Sequence, residues 1–516
     1  MRWLGGASPF VRGARLGGMS DDRSFSARAM TAGTWVIAGK LIARSIDFVT
    51  LLVLARLLDP ADFGLVAMAM AVILIVEAVL QLPIIQALVR VPDLTPPMFD
   101  TAFTLGLLRG LSVALLLGVA AWPISVFYEE PRLVLLILAL ALAPVVRGMI
   151  SPRMAIFMQR FDFRREVALD LVGKVSSLAV AATVAAATGS YWAIAAGTVT
   201  TPVVMVACSY VFAPQWPRLT LAEWPIFADI VGWNSISQAI SALNWQMDKV
   251  LLGRFAEISV FGRFVVADNL ASIPQQAVVF PLMRPLVAAF APSDPRRLAS
   301  AYYKATAGIL LITAPTLVTI ALLADPAVRI VLGDKWTEAA PILRWLALCN
   351  LLALPVAAMP PLVIALGRTK FLALRSFLEF CIGLPALVVG VIYFGVLGAI
   401  GARAAAGTAA IVAVVWMLNR LIGATSRGLL TECWRAFAAL LPLGGFLLLA
   451  ASFLAELPSD WLLIAGTVGA GFGGMIIYFA ATLMLWGMCG RPEGAEAIAV
   501  RHLKSIFAPV ASRHFP

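Results

Sequence analysis

The stretch Thr31–Leu58, TAGTWVIAGKLIARSIDFVTLLVLARLL, limits this chain more than any other. It is apolar and long enough to cross a bilayer, for which about 20 residues suffice. Yet Lys40, Arg44 and Asp47 lie well inside it. Charges near the bilayer centre are costly, so these three must face protein, water or ligand. Their i, i+4, i+7 spacing places them on one helical face. The helix therefore turns a cationic stripe with one acid toward an interior, and the expected interior is a cavity that takes an anion.

The rest of the chain fits a membrane setting. Of its 516 residues, 61% are hydrophobic and 13% charged, against about 45–50% and about 25% in soluble domains. The pattern predicts an all-α integral membrane protein with about fourteen transmembrane helices. Basic residues gather in alternate connections, which sets the orientation with both termini in the cytoplasm. That dispersal accounts for the net charge of +11 without a nucleic-acid partner. The two histidines, His502 and His514, lie in the C-terminal tail, and the five cysteines have no paired spacing. With no metal or nucleotide motif either, an enzyme is not expected, nor a cofactor.

An internal repeat organises the chain. LARLLDPADFG (Leu54–Gly64) aligns with LGRFAEISVFG (Leu252–Gly262), pairing Arg56 with Arg254 and Phe63-Gly64 with Phe261-Gly262. At the same offset Pro83 meets Pro281, and Pro152 and Arg160 match Pro360 and Arg368 after a short shift. Six helices per half is an even number, so the halves are parallel repeats about an axis along the membrane normal, an arrangement used for alternating access. The expected domains are a cytoplasmic N-terminal tail (1–28), an N-lobe (29–212), a cytoplasmic linker (213–224), a C-lobe (225–422), two further helices (432–488) and a cytoplasmic C-terminal tail (489–516).

Charges inside the spans supply the candidate site. Lys40 and Arg44 are expected to hold an anionic headgroup, with Arg109 and Arg147 as further cations, since neither has an acid at helical spacing in its own helix. On the repeat partner of the first helix, Asn234, Gln238, Ser241, Trp245 and Asp248 share one face, suited to a sugar through amide hydrogen bonds and an aromatic ring. Asp47, Glu77 and Asp248 are candidates for coupling to a proton or sodium gradient. The i, i+4 pairs Asp170–Lys174 and Arg375–Glu379 are expected to neutralise themselves.

The stretch GTWVIAGKLIARSIDFVTLLVLARLLDPADFGLVAMA, with its ARLLDPADFG end, and the later FMQRFDFR and IALGRTKF turns resemble the polysaccharide-exporter (Wzx-type) branch of the multidrug/oligosaccharidyl-lipid/polysaccharide (MOP) flippase superfamily. The resemblance spans about residues 28–425. It implies a MATE-like pair of six-helix lobes around a V-shaped cavity, with two extra C-terminal helices. The implied substrate is an undecaprenyl-diphosphate-linked oligosaccharide, moved between leaflets of the bacterial inner membrane for exopolysaccharide, capsule or O-antigen synthesis. Polysaccharide polymerase or export machinery would be a partner. A peptidoglycan-precursor flippase and a cation-coupled multidrug exporter are the alternatives.

Overall fold

The computed structural model describes residues 19–91, 93–160, 162–291, 295–368, 370–455, 460–497 and 500–501, without the side chains of 19–34, 228–241, 295, 296, 455 and 460. The first half comprises α1 (Met19–Leu57), α2 (Pro60–Val79), α3 (Ile84–Arg90), α4 (Pro96–Tyr128), α5 (Arg132–Leu140), α6 (Leu142–Gly148), α7 (Met154–Gln159), α8 (Arg164–Thr188) and α9 (Trp192–Phe212). The second comprises α10 (Trp224–Phe255), α11 (Ile258–Pro274), a π turn (Gln275–Val279), α12 (Phe280–Phe290), α13 (Pro295–Leu322), α14 (Ala324–Val331), α15 (Ala339–Ala353), α16 (Met359–Ala365) and α17 (Lys370–Ile422). Three more helices, α18 (Ser426–Ala438), α19 (Leu440–Ala455) and α20 (Asp460–Met488), pack on α13 and α14.

Among the described residues, nine helical stretches are long and apolar enough to cross a membrane. One of them, α17, is 53 residues long, which as a straight helix would reach about 80 Å, far beyond a hydrocarbon core of about 30 Å. It is a hairpin. Gly395 takes φ 57° and ψ −132°, a backbone that glycine adopts without a steric penalty, and the two legs run back against each other through Gly390 and Gly398. The repeat prolines also act alike. α2 ends at Val79 and the chain restarts as α3 after Pro83, while the π turn Gln275–Val279 comes just before Pro281. Proline removes a helix donor and clashes with the preceding turn, so both second helices are interrupted at matching points.

The halves meet where α2 packs against α10 and α11. At the first turns of α2 and α11 the repeat glycines leave almost no space. A Cβ on Gly262 would lie 1.8 Å from the Pro60 carbonyl oxygen, and one on Gly64 would lie 2.2 Å from that of Ile258. The ARLLDPADFG segment builds this end. Pro60 opens α2, Asp59 is its N-cap, and the Asp62 carboxylate accepts from the Asp59 backbone N–H at 3.1 Å, a reciprocal cap. Asp62 also accepts from the Tyr191 backbone N–H at 3.1 Å, tying in α9.

Around the crossing, side chains reach from each half to the other. Lys335 pairs with Asp59 at 2.8 Å, and Arg254 pairs with Glu129 at 2.6 Å. Arg56 donates to the carbonyl of Ile330. The Trp336 indole N–H donates to the Ala55 carbonyl at 2.8 Å, and its ring meets Phe63 edge-on at 5.2 Å. The repeat arginines Arg56 and Arg254 thus each cross to the opposite half at the same end of the molecule.

The chain between halves is a strap, not a slack linker. Arg218, Thr220 and Glu223 donate backbone N–H groups to Asp100, Thr104 and Thr101 of α4. Arg153 holds the Pro214 carbonyl at 3.0 Å, and the Ser151 hydroxyl holds that of Ala213 at 2.7 Å. Phe227, in the first turn of α10, is buried with Leu88 and Phe99. The start of α10 therefore belongs to the first half's packing, and its far end to α17.

Magnitudes rank the contacts at the joined end. Trp336 is fully buried, and truncating such a residue costs about 3–5 kcal/mol, whereas an exposed ion pair such as Lys335–Asp59 is worth about 0–1 kcal/mol. Alkylation of a thiol introduced by Ile258→Cys should therefore speed up strongly when Trp336→Ala is added and little when Lys335→Ala is added. Equal acceleration in both would assign the closure to charge.

Candidate functional site

α1 and α8 lie side by side in parallel register. The Arg164 guanidinium stacks over Trp35 at 5.3 Å, Gly39 meets Val167, Asp47 meets Lys174, and Leu54 shares a buried cluster with Ala181. Gly39 allows the approach, since a Cβ there would sit 2.4 Å from a Val167 methyl. This register confronts two charged rows: Lys40, Arg44 and Asp47 from α1, and Glu166, Asp170 and Lys174 from α8.

Asp47 is the junction. Lys174 reaches it at 2.5 Å and Arg44 at 3.6 Å. The expected Asp170–Lys174 pair is thereby corrected: Lys174 crosses to α1 because Asp47 lies level with it in the neighbouring helix. The Arg44 side chain remains 61% exposed. Lys40 is also exposed and makes no hydrogen bond or contact-length ion pair among the described residues, although its charge acts on both Glu166 and Asp170. Arg284 of α12 acts on Glu166 as well, so the second half contributes a cation to the same region. Sequence reasoning passed over Arg284. Its signal was a lone base between Pro281 and Pro285 with no acid at helical spacing.

Arg109 and Arg147 assemble elsewhere, around the break in α2. Arg147 grips both carboxylate oxygens of Glu77, at 3.0 and 3.2 Å. Arg109 donates to the carbonyls of Leu80 at 2.9 Å and Glu77 at 3.2 Å. A helix end leaves its last carbonyls without partners, and Pro83 supplies no N–H, so Arg109 completes the end of α2. Both guanidinium groups are committed to protein, and Glu77 is paired.

The third cluster ties α10, α11 and α17 together. Arg403 bridges Asp248 and Asp268, each at 2.6 Å, and Lys249 approaches Asp268 at 3.7 Å. Two acids and two bases cancel within it. Asp248, expected on a sugar-binding face and as a coupling acid, is held by Arg403. Trp245, one turn earlier, is 69% exposed. The side chains of Asn234, Gln238 and Ser241 lie outside the described residues. Arg375–Glu379 forms as expected, at 2.8 Å.

Chemically, the intramembrane cations fall into two sets. Arg109, Arg147, Lys174 and Arg403 are engaged at contact distance with fixed protein groups. Lys40 and Arg44, with Arg284 nearby, form the exposed set, placed where a mobile anion could exchange with weakly held carboxylates.

Known proteins share both the sequence pattern and the fold. The succinoglycan biosynthesis transport protein ExoT of Rhizobium meliloti is 24% identical over 342 residues, covering 65% of this chain and 68% of that protein. The lipopolysaccharide biosynthesis protein WzxC of Escherichia coli is 22% identical over 436 residues, covering 81% and 87%. Among solved structures, the lipid II flippase MurJ in an inward closed conformation superposes with a TM-score of 0.69 at 12% identity, covering 88% of this chain and 99% of that one. A multidrug resistance MATE family transporter of the MOP superfamily, in an inward-facing conformation, superposes with a TM-score of 0.56 at 14% identity, covering 75% of this chain and 99% of that one. Residues 53–341, more than half of the chain, match the family described as polysaccharide biosynthesis protein, and this multi-pass membrane protein belongs to that family.

Proposed function

We propose that this protein is a flippase that moves undecaprenyl-diphosphate-linked oligosaccharide units from the inner to the outer leaflet of the bacterial inner membrane by alternating access. Two relatives named for succinoglycan transport and lipopolysaccharide biosynthesis support the substrate class. Its relatives are transport proteins, and the chain is a transporter and not an enzyme. The observation that carries the headgroup assignment is the pair Lys40 and Arg44, exposed within the spanning part of α1 while Arg109, Arg147, Lys174 and Arg403 are engaged by fixed protein groups. A diphosphate offers several acceptor oxygens to an ammonium and a guanidinium, one binding as a point charge and the other as a fork.

Orientation follows from the basic residues at the end opposite the Gly64–Gly262 crossing, among them Arg90, Arg160, Arg164, Arg165, Arg368, Lys370, Arg420 and Arg427. By the positive-inside rule that end is cytoplasmic, with both termini on the same side. The joined end then faces outward, and the headgroup enters from the cytoplasmic side. The N-lobe (29–212) and C-lobe (225–422) rock about the crossing, while the lipid chain stays in the bilayer. A polysaccharide polymerase would take the product on the outer side.

Lys40→Ala and Arg44→Ala should each lower surface polysaccharide about tenfold or more at unchanged protein level, since a hydrogen bond to a charged group contributes about 1.5–3 kcal/mol. Normal export by both variants would rule out the headgroup assignment. In a strain lacking the protein, mass-spectrometric lipid profiling should show polyprenyl-diphosphate oligosaccharide accumulating as surface polysaccharide disappears. Accumulation of the peptidoglycan precursor would instead favour a MurJ-like substrate, consistent with the shared fold. An unchanged lipid pool with altered sensitivity to cationic drugs would transfer the protein to the drug exporters.

A further inference from the structure

Glu166 and Asp170 are left without a task by the headgroup assignment. Asp170 lies between Val167 and Lys174, two of the α8 residues that meet α1, and Glu166, one helical turn earlier, is exposed beside Val167. Asp170 has lost its natural partner, because Lys174, one turn further on, is engaged by Asp47. Among the described residues Asp170 makes no hydrogen bond or contact-length ion pair; the charges acting on it are Lys174, Asp47, Arg44 and Lys40. Glu166 feels Lys40, Asp170 and Arg284. The other helix packed along α8 is α9, and it carries no Asp, Glu, Lys, Arg or His.

The six charges Lys40, Arg44, Asp47, Glu166, Asp170 and Lys174 sum to zero without a ligand, while Arg164, over Trp35 at the start of the α1–α8 contact, and Arg284 from α12 add positive charge at its edge. Asp47 is matched by Lys174, and Glu166 and Asp170 are the carboxylates left to balance Lys40 and Arg44. Two features make that second balance exchangeable. It is held by field and not by contact, and both cations remain exposed. A diphosphate carries about the same charge as two carboxylates and offers better geometry to Arg44.

Building on the headgroup assignment, we infer that Glu166 and Asp170 are built-in competitors for Lys40 and Arg44, a counter-anion pair that the diphosphate displaces on binding and that reclaims the cations on release. They set the affinity low enough for turnover. Without them the cations would hold the headgroup and export would stall. Two sites that share a ligand are linked by a coupling free energy, which typically amounts to 5–150-fold in affinity.

The test uses the full chain in lipid nanodiscs, with geranylgeranyl diphosphate as the lipid probe and inorganic diphosphate as the free headgroup. Asp170→Asn and Glu166→Gln should each tighten binding of both probes by about fivefold or more, whereas Lys40→Ala should weaken it. In cells, Asp170→Asn should lower surface polysaccharide despite the tighter binding, and Asp170→Glu should restore wild-type affinity and export. Tightening is a readout that a merely structural role or a folding defect would not produce. If Lys40→Ala weakens binding but neither carboxylate variant tightens it, the competitor role is overturned and the headgroup assignment stands. If Lys40→Ala binds both probes as the wild type does, the headgroup assignment itself falls. Tightening for the lipid probe alone would also overturn the inference, since the contest is for the diphosphate.

Discussion

Backbone touching backbone at Gly64 and Gly262 is the contact on which the two halves depend. The space between the first turns of α2 and α11 is smaller than a methyl group, so the two helices meet at one fixed point. Everything nearby is arranged around that point: the reciprocal cap on α2, the buried Trp336, and the repeat arginines crossing in opposite directions. Because the closure is backbone-limited and pseudo-symmetric, neither half can slide along the other without first separating. Rotation about the contact is the cheap motion, and sliding is the expensive one.

The second constraint is the cost of charge in hydrocarbon. Three of the ionic groups among the described residues meet that cost in different ways. Around α2 a helix break supplies free carbonyls and Arg109 fills them. In the second half Arg403 satisfies two acids from two other helices, which makes three helices one body. Between α1 and α8, Lys40 and Arg44 are left exposed, with Glu166 and Asp170 acting on them without a contact-length ion pair among the described residues. That difference between locked and loosely held charges separates scaffold from candidate site.

Much of the architecture was legible in the sequence because it is local or periodic. Membrane class, the parallel repeat and the importance of ARLLDPADFG could all be read from hydropathy and spacing, and the motif's residues turn out to build the joined end. The candidate site was legible in part. Lys40, Arg44 and Asp47 declare themselves by sharing one apolar helix. What stayed hidden was pairing across the chain: Lys174 prefers Asp47 to Asp170, Arg147 finds Glu77, and Arg403 finds Asp248 and Asp268. Helical spacing proposes partners within one helix, while the register between α1 and α8 is set by Gly39 against Val167, which no periodicity reveals. The residues that separate a cationic cavity face from a neutral one lie in a different helix.

The pairing of charges across helices has an electrical consequence. Opposite charges that travel together through the membrane field do no net work, so the Asp47–Lys174 pair and the Arg403, Asp248, Asp268 and Lys249 group can move with their helices unopposed by the membrane potential. On the proposed function, the diphosphate is then the charge that crosses. An inside-negative potential pushes it outward with about 2.3 kcal/mol per charge per 100 mV. The resting voltage of the cell would supply the direction of transport, and the flippase would generate a current equal to its cargo's charge.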